Sequence, residues 1–94
     1  MNHASDHQLN ILKKSKYVID TFLDALWMER GLSENTLSAY RSDLIHFLTW
    51  LEPKNIRLVK VQMKNILAYL SSMENVSART VARRLSSLRR LYEY

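Results

Sequence analysis

Apolar residues recur along this chain at three- and four-residue spacing, the mark of helices with one buried side. Val18, Ile19, Phe22, Leu23 and Leu26 form the first such stripe and predict a helix over about residues 14–30. Gly31 follows, where a left-handed backbone commonly ends a helix. Leu37, Tyr40, Leu44, Phe47, Leu48 and Leu51 predict a second helix over about residues 34–51, capped by Ser33 and stopped by Pro53. Met63, Ile66, Leu67, Leu70 and Met73 predict a shorter third helix over about residues 61–73, with Gln62 a poor cap at its start. A fourth helix starts after Ser77 and is still helical at Tyr94, with Ala78, Val81, Leu85, Leu88 and Tyr92 as core positions. Leu32 and Leu37 flank Ser33 as Val76 and Val81 flank Ser77, each at the spacing of a hydrophobic staple. Residues 1–12 show no such period. The pattern therefore predicts an all-α fold, with a flexible tail over residues 1–14 and one four-helix domain over residues 15–94.

Composition supports this. One Gly and one Pro among 94 residues leave few joints, and 47% apolar residues suffice for a single core. The chain has no cysteine, which removes disulfide frameworks and thiolate metal sites and suits a cytoplasmic location. The polar start, Met1 to Gln8, carries no signal sequence, and no run approaches the roughly 20 apolar residues of a membrane span. No Gly, Asn or Pro follows Tyr92, so the fourth helix reads as part of a longer protein.

Charge changes the picture more. The net charge is +5, but residues 1–52 carry five Lys/Arg against seven Asp/Glu, and residues 53–94 carry nine against two. Residues 79–90 hold five arginines and no acid. On a helical wheel Arg79, Arg83 and Arg90 fall opposite the core, Thr80, Ser86 and Ser87 lie among or beside them, and Arg84 and Arg89 flank the core edge. Guanidinium groups mixed with small hydroxyls suit duplex DNA, because arginine pairs bidentately with phosphate or guanine and short side chains allow close approach. The second helix has a matching small, neutral strip: Ser38, Ala39, Ser42 and His46. Replacing Arg79 and Arg83 is expected to weaken duplex binding with little change in thermal stability.

Catalytic constellations are missing. His3 and His7 lie in the tail and His46 stands alone, so neither a metal site nor a triad can be drawn, and no glycine-rich phosphate loop or cofactor site is present. Asp20 and Asp24, one turn apart, read as surface, and Trp27 and Trp50 as packing.

The residues 22–27 (Phe-Leu-Asp-Ala-Leu-Trp) and 34–44 (Glu-Asn-Thr-Leu-Ser-Ala-Tyr-Arg-Ser-Asp-Leu) resemble the start of bacterial XerD-type tyrosine recombinases of the phage integrase family. The spacing Ser33, Thr36, Tyr40, Leu44, Phe47, Trp50 and the run 83–94 are similar to the family's core-binding, or SAM-like, domain. The resemblance implies a four-helix orthogonal bundle whose second and fourth helices dock in the major groove. It implies DNA contacts at Thr36, Ser38, Ala39 and Ser42, and at Arg79, Thr80, Arg83, Arg84 and Ser87; the wheel adds Arg90. It also implies a separate catalytic domain carrying the family's Arg, Lys, His and nucleophilic Tyr. The implied partners are double-stranded DNA, a XerC-like recombinase and further recombinase subunits, acting on chromosome dimers at cell division. Residues 61–64 depart from the close pattern, where acidic and hydroxyl residues are commoner. Two other readings remain: a helical protein–protein module docking an acidic partner, and a helix-turn-helix regulator, which the joint before the fourth helix fits less well for want of a glycine turn.

Overall fold

The computed structural model describes residues 6–93, with side chains from Lys13 onward. It contains α1 (Asp6–Arg30), α2 (Glu34–Leu51), α3 (Met63–Ser71) and α4 (Ala78–Glu93), with two 3-10 turns, Glu52–Lys54 and Leu58–Lys60, between α2 and α3. No strand occurs among the described residues. The helix starts and stops follow local chemistry. Gly31 takes a left-handed φ of 59° and its N–H reaches the Trp27 carbonyl, which closes α1. Ser33 Oγ accepts the Thr36 N–H at 3.2 Å, and Ser77 Oγ accepts that of Thr80 at 3.2 Å, so α2 and α4 begin alike. Pro53 sits in the first 3-10 turn, and Asn55, at a φ of 56°, turns the chain away.

The tail expected over residues 1–14 is corrected in its described part: residues 6–14 belong to α1, which already begins at Asp6. An existing helix extends without a new nucleation cost, and an acid in the first turn favours the positive end of the helix dipole. Residues 1–5 lie outside the described residues.

One core joins all four helices. Ile19, Phe22, Leu23 and Leu26 of α1 meet Leu44, Phe47, Leu48 and Leu51 of α2, with Leu58, Tyr69, Met73, Leu88 and Leu91 completing the cluster. The first two stripes match the periodicity. The third is corrected in phase. Met63 and Leu67, expected inside, are 68% and 56% exposed, and Tyr69 takes the fully buried place. The cause is aromatic packing: the Tyr69 ring meets Phe47 edge-on at 4.8 Å between centroids and Trp50 at 5.2 Å, and its hydroxyl shares a 2.6 Å hydrogen bond with His46 Nδ1. The α3 start falls at Met63 rather than 61, with Asn65 Oδ1 accepting the Gln62 N–H at 2.8 Å.

The fourth stripe is also rotated from the expected one. Ser87, Leu88 and Leu91 are buried, Val81 and Leu85 are half-buried, and Ala78 is exposed. Tyr92, expected in the core, is 42% exposed, but its hydroxyl donates to the Leu58 carbonyl at 2.6 Å and burial pushes the phenol's pKa well up. This bond fastens the end of α4 to the second 3-10 turn.

Candidate nucleic-acid interface

The α2–α4 contact is organised around Asp43. Its position after Ser42 and before Leu44 turns it inward, and its side chain is 2% exposed. A carboxylate so deeply placed must be fully hydrogen-bonded. It accepts Arg83 Nη2 at 2.9 Å, Arg83 Nε at 3.2 Å and Ser87 Oγ at 2.9 Å. Arg83 thus spends one edge of its guanidinium on α2, while its side chain stays half exposed. Farther along, the Arg90 guanidinium lies 5.8 Å from the Tyr40 ring centre. Residue pairs 83–43, 87–43 and 90–40 show the two helices passing in opposite senses.

Two expectations are corrected here. The outward side was read as carboxylate-free, but α2 supplies Asp43 to Arg83. Ser87, assigned to the interface, is fully buried and hydrogen-bonded to Asp43, so its hydroxyl faces α2 and not a ligand. The wheel placed Ser87 outside because it was phased on Ala78, Val81, Leu85, Leu88 and Tyr92, whereas the observed core side carries Ser87, Leu88 and Leu91; the neighbouring Ser86 is the exposed serine.

The other candidate residues divide by what they touch. Ser38 and Ser42 on α2 are exposed, and Ala39 is half-buried. Thr36 is half-buried and its hydroxyl shares a 3.0 Å hydrogen bond with Ser33 Oγ, so it belongs first to the cap. Thr80 does the same for α4, accepting Ser77 Oγ at 3.0 Å. Arg79 is exposed and makes no ion pair or hydrogen bond among the described residues. Arg84 is half-buried; its Nη1 lies 3.4 Å from the Met73 sulfur, and its Nε is buried with no partner. Its cation acts on His46: burial first, then Arg84, holds that imidazole below its ordinary pKa, and Asp43 pulls the other way.

A recess beside the same contact is lined by Arg30, Tyr40, Ser86, Arg89, Arg90 and Glu93. None of the three arginines is within ion-pair distance of a carboxylate among the described residues. Arg30, the last residue of α1, is therefore a cation of this face that a reading of α2 and α4 alone passes over. No group of three metal-binding side chains occurs among the described residues, and none of their helices is long and apolar enough to cross a membrane.

Residues 19–94 match the family described as phage integrase, N-terminal SAM-like domain. The chain belongs to this family. It is 53% identical over 79 residues to the tyrosine recombinase XerD of Shewanella oneidensis, covering 82% of this chain and 26% of that protein. It is 46% identical over 79 residues to the XerD of Pseudomonas aeruginosa, again 82% of this chain and 26% of that protein. Against the XerD of Vibrio vulnificus the figures are 42% over 78 residues, 81% and 26%. The chain thus spans about a quarter of the length of the curated relatives it matches. No solved structure matches it. Membership in the SAM-like family agrees with the four-helix architecture expected from the periodicity, and XerD-type similarity agrees with the motif at residues 22–44.

Asp43 is the residue of this site that sequence reasoning missed. Its signal was present: it is the one acid inside the 37–51 stripe, next to Leu44. An acid on the core edge of one helix and an arginine on the edge of another are each read as surface until the two helices are brought together.

Proposed function

We propose that this domain binds duplex DNA through the α2/α4 face, as the N-terminal part of a XerD-like site-specific tyrosine recombinase. One observation carries the reading: Arg79, Arg89 and Arg90 on α4, and Arg30, which lines one recess with the last two, have no carboxylate partner among the described residues, on a helix that packs against α2. Unpaired guanidinium groups bind phosphate oxygens at little cost, and a strip of Ser38, Ala39 and Ser42 lets a helix approach the groove closely. Arg83 acts differently. Its charge is matched by Asp43, so it adds little long-range attraction but presents a fixed N–H edge, which suits a base or a single phosphate. Both helices dock in the major groove in this reading, with Arg84 and Thr80 at its margin and Thr36 contributing through the α2 cap.

The strand-cutting chemistry belongs to a catalytic domain outside this chain, so the domain alone is a DNA grip and not an enzyme. The complete protein, acting in the cytoplasm with a XerC-like partner and further recombinase subunits, breaks and rejoins DNA through a 3′-phosphotyrosyl intermediate and resolves chromosome dimers at cell division. The relatives named tyrosine recombinase XerD support the recombinase part of this reading. The test is duplex binding by a variant carrying Arg79→Ala and Arg89→Ala. Its affinity should fall and its salt slope shrink by about two, at roughly 0.9 per phosphate contact, with thermal stability unchanged. Undiminished affinity removes the α2/α4 face from the reading.

A further inference from the structure

The segment joining α2 to α3, with the start of α3, is a second cationic surface. Between Pro53 and Met73 the chain has four cations, Lys54, Arg57, Lys60 and Lys64, and no acid. All four are exposed, and none forms an ion pair among the described residues. Arg57, Lys60 and Lys64 line one recess together with Asn55, Gln62, Asn65 and Ile56. Three cations and three carboxamides make this lining rich in N–H donors and without a carboxylate.

The segment is held in place. Leu58, 2% exposed, anchors it in the core. The Tyr92 hydroxyl donates to the Leu58 carbonyl at 2.6 Å, Asn65 Oδ1 accepts the Gln62 N–H at 2.8 Å, and Lys54 Nζ sits 4.2 Å from the Trp50 ring centre. Like charges gathered on an anchored surface repel one another, and a bound polyanion relieves that repulsion.

We propose that this surface is a second contact for the phosphate backbone of duplex DNA, separate from the α2/α4 face. The lining favours phosphate over an acidic helix. A docked helix needs an apolar seat, and the exposed Val59, Met63 and Leu67 are not among the lining residues. The placement favours a flank of the same duplex. The surface continues past the end of α2, where Lys54 sits over Trp50, and the Tyr92–Leu58 bond holds it in place. It therefore lengthens the footprint of α2, a helix already assigned to DNA, and rests on that assignment only for the choice of duplex.

The experiment compares the whole chain with a triple variant, Arg57→Gln, Lys60→Gln and Lys64→Gln, on duplexes of about one and about three helical turns across a salt series. For the longer duplex the variant should bind about tenfold more weakly, with a salt slope smaller by about two to three. On the one-turn duplex it should bind as the parent does. A charge-keeping variant, Arg57→Lys with Lys60→Arg and Lys64→Arg, should retain the parent's affinity, and matching melting temperatures check the fold. Unchanged affinity and slope on the long duplex overturn the proposal. So does an equal loss on both lengths, a parent that binds neither duplex, or a loss confined to poly-glutamate, which would mark an acidic-protein surface. The Arg79→Ala, Arg89→Ala variant separates the two assignments: if it binds normally while the triple variant fails on the long duplex, the α2/α4 face is wrong and this surface stands.

Discussion

Arg83 was expected to be a free cation, and in the structure it is half of an ion pair whose other half is almost out of solvent. Removing it leaves the Asp43 carboxylate buried with Ser87 as its remaining hydrogen-bond partner. Arg83→Ala should therefore destabilise the fold by about 1–3 kcal/mol, the usual cost of stranding a buried acceptor. Arg79→Ala, at an exposed and unpaired site, should shift stability by less than about 0.5 kcal/mol. Thermal melts of the two variants decide this, and equal melting temperatures would dissolve the role given to Asp43. Loss of DNA binding in an Arg83 variant then needs a stability control before it is read as a lost contact. His46 carries a second residue-scale consequence. Its folded pKa is lowered from 6.5 chiefly by burial, so the neutral ring is favoured in the fold. The sign follows from linkage: stability from this residue is complete above pH 6.5 and is lost as pH falls through the lowered folded value. The melting temperature of the parent should drop over that window more than that of His46→Gln, measured in the same buffers. Parallel curves would mean that His46 titrates as it does in the unfolded chain.

At the scale of elements, legibility followed length and punctuation. The α2 boundaries were readable to the residue, because Ser33 and Pro53 bracket an uninterrupted stripe. The α1 end was readable from Gly31, but its start was not, since a polar segment attached to a helix needs no apolar period to continue it. The phase of α3 was illegible. It has nine residues and apolar side chains around most of its circumference, so Met63 and Leu67 compete with Tyr69 for the core and only the aromatic neighbours on α2 decide. In α4 the rotation came from Ser87: a serine becomes a core residue once a buried acid meets it, and no property of α4 alone announces that acid. Around the candidate site, the exposure of Arg79, Ser38 and Ser42 was legible in the sequence, because position on a single helix decides it. Ser87, Asp43 and the partnership of Arg83 were not, because they depend on the fit of two helices. The α3 correction yields a direct contrast. Leu67→Gln should leave stability within about 0.5 kcal/mol of the parent. Tyr69→Ala should cost about 3–5 kcal/mol, the range for emptying a buried aromatic site. Denaturant titrations that ranked the two the other way would restore the phase read from the periodicity.

For the molecule as a whole, the sequence concentrates positive charge after residue 52, and the fold sorts that charge into used and unused cations. Arg41 is paired with Asp20 and Arg83 with Asp43, so neither adds to the net attraction of the surface it lies on. Arg84 has no carboxylate partner but is half-buried against Met73. What remains exposed or part-exposed on the α2/α4 side is Arg79, Arg89, Arg90 and Arg30, about four phosphate contacts. Each contact releases roughly 0.9 counterion equivalents from B-form DNA, so the logarithm of the binding constant should fall with a slope near −3 to −4 against the logarithm of salt. Raising salt from about 50 to about 200 mM should then weaken binding to a one-turn duplex by about a hundredfold. This figure is specific to the sorting. Were all five α4 arginines, Arg30 and Arg41 free to meet phosphate, the slope would approach −6 and the loss would exceed a thousandfold. A fluorescence-anisotropy titration at four or so salt concentrations reads the slope directly. A value near −6 would show that Arg83 and Arg41 leave their carboxylates, and Arg84 its place against Met73, for the DNA; a flat response would remove phosphate contact as the source of affinity.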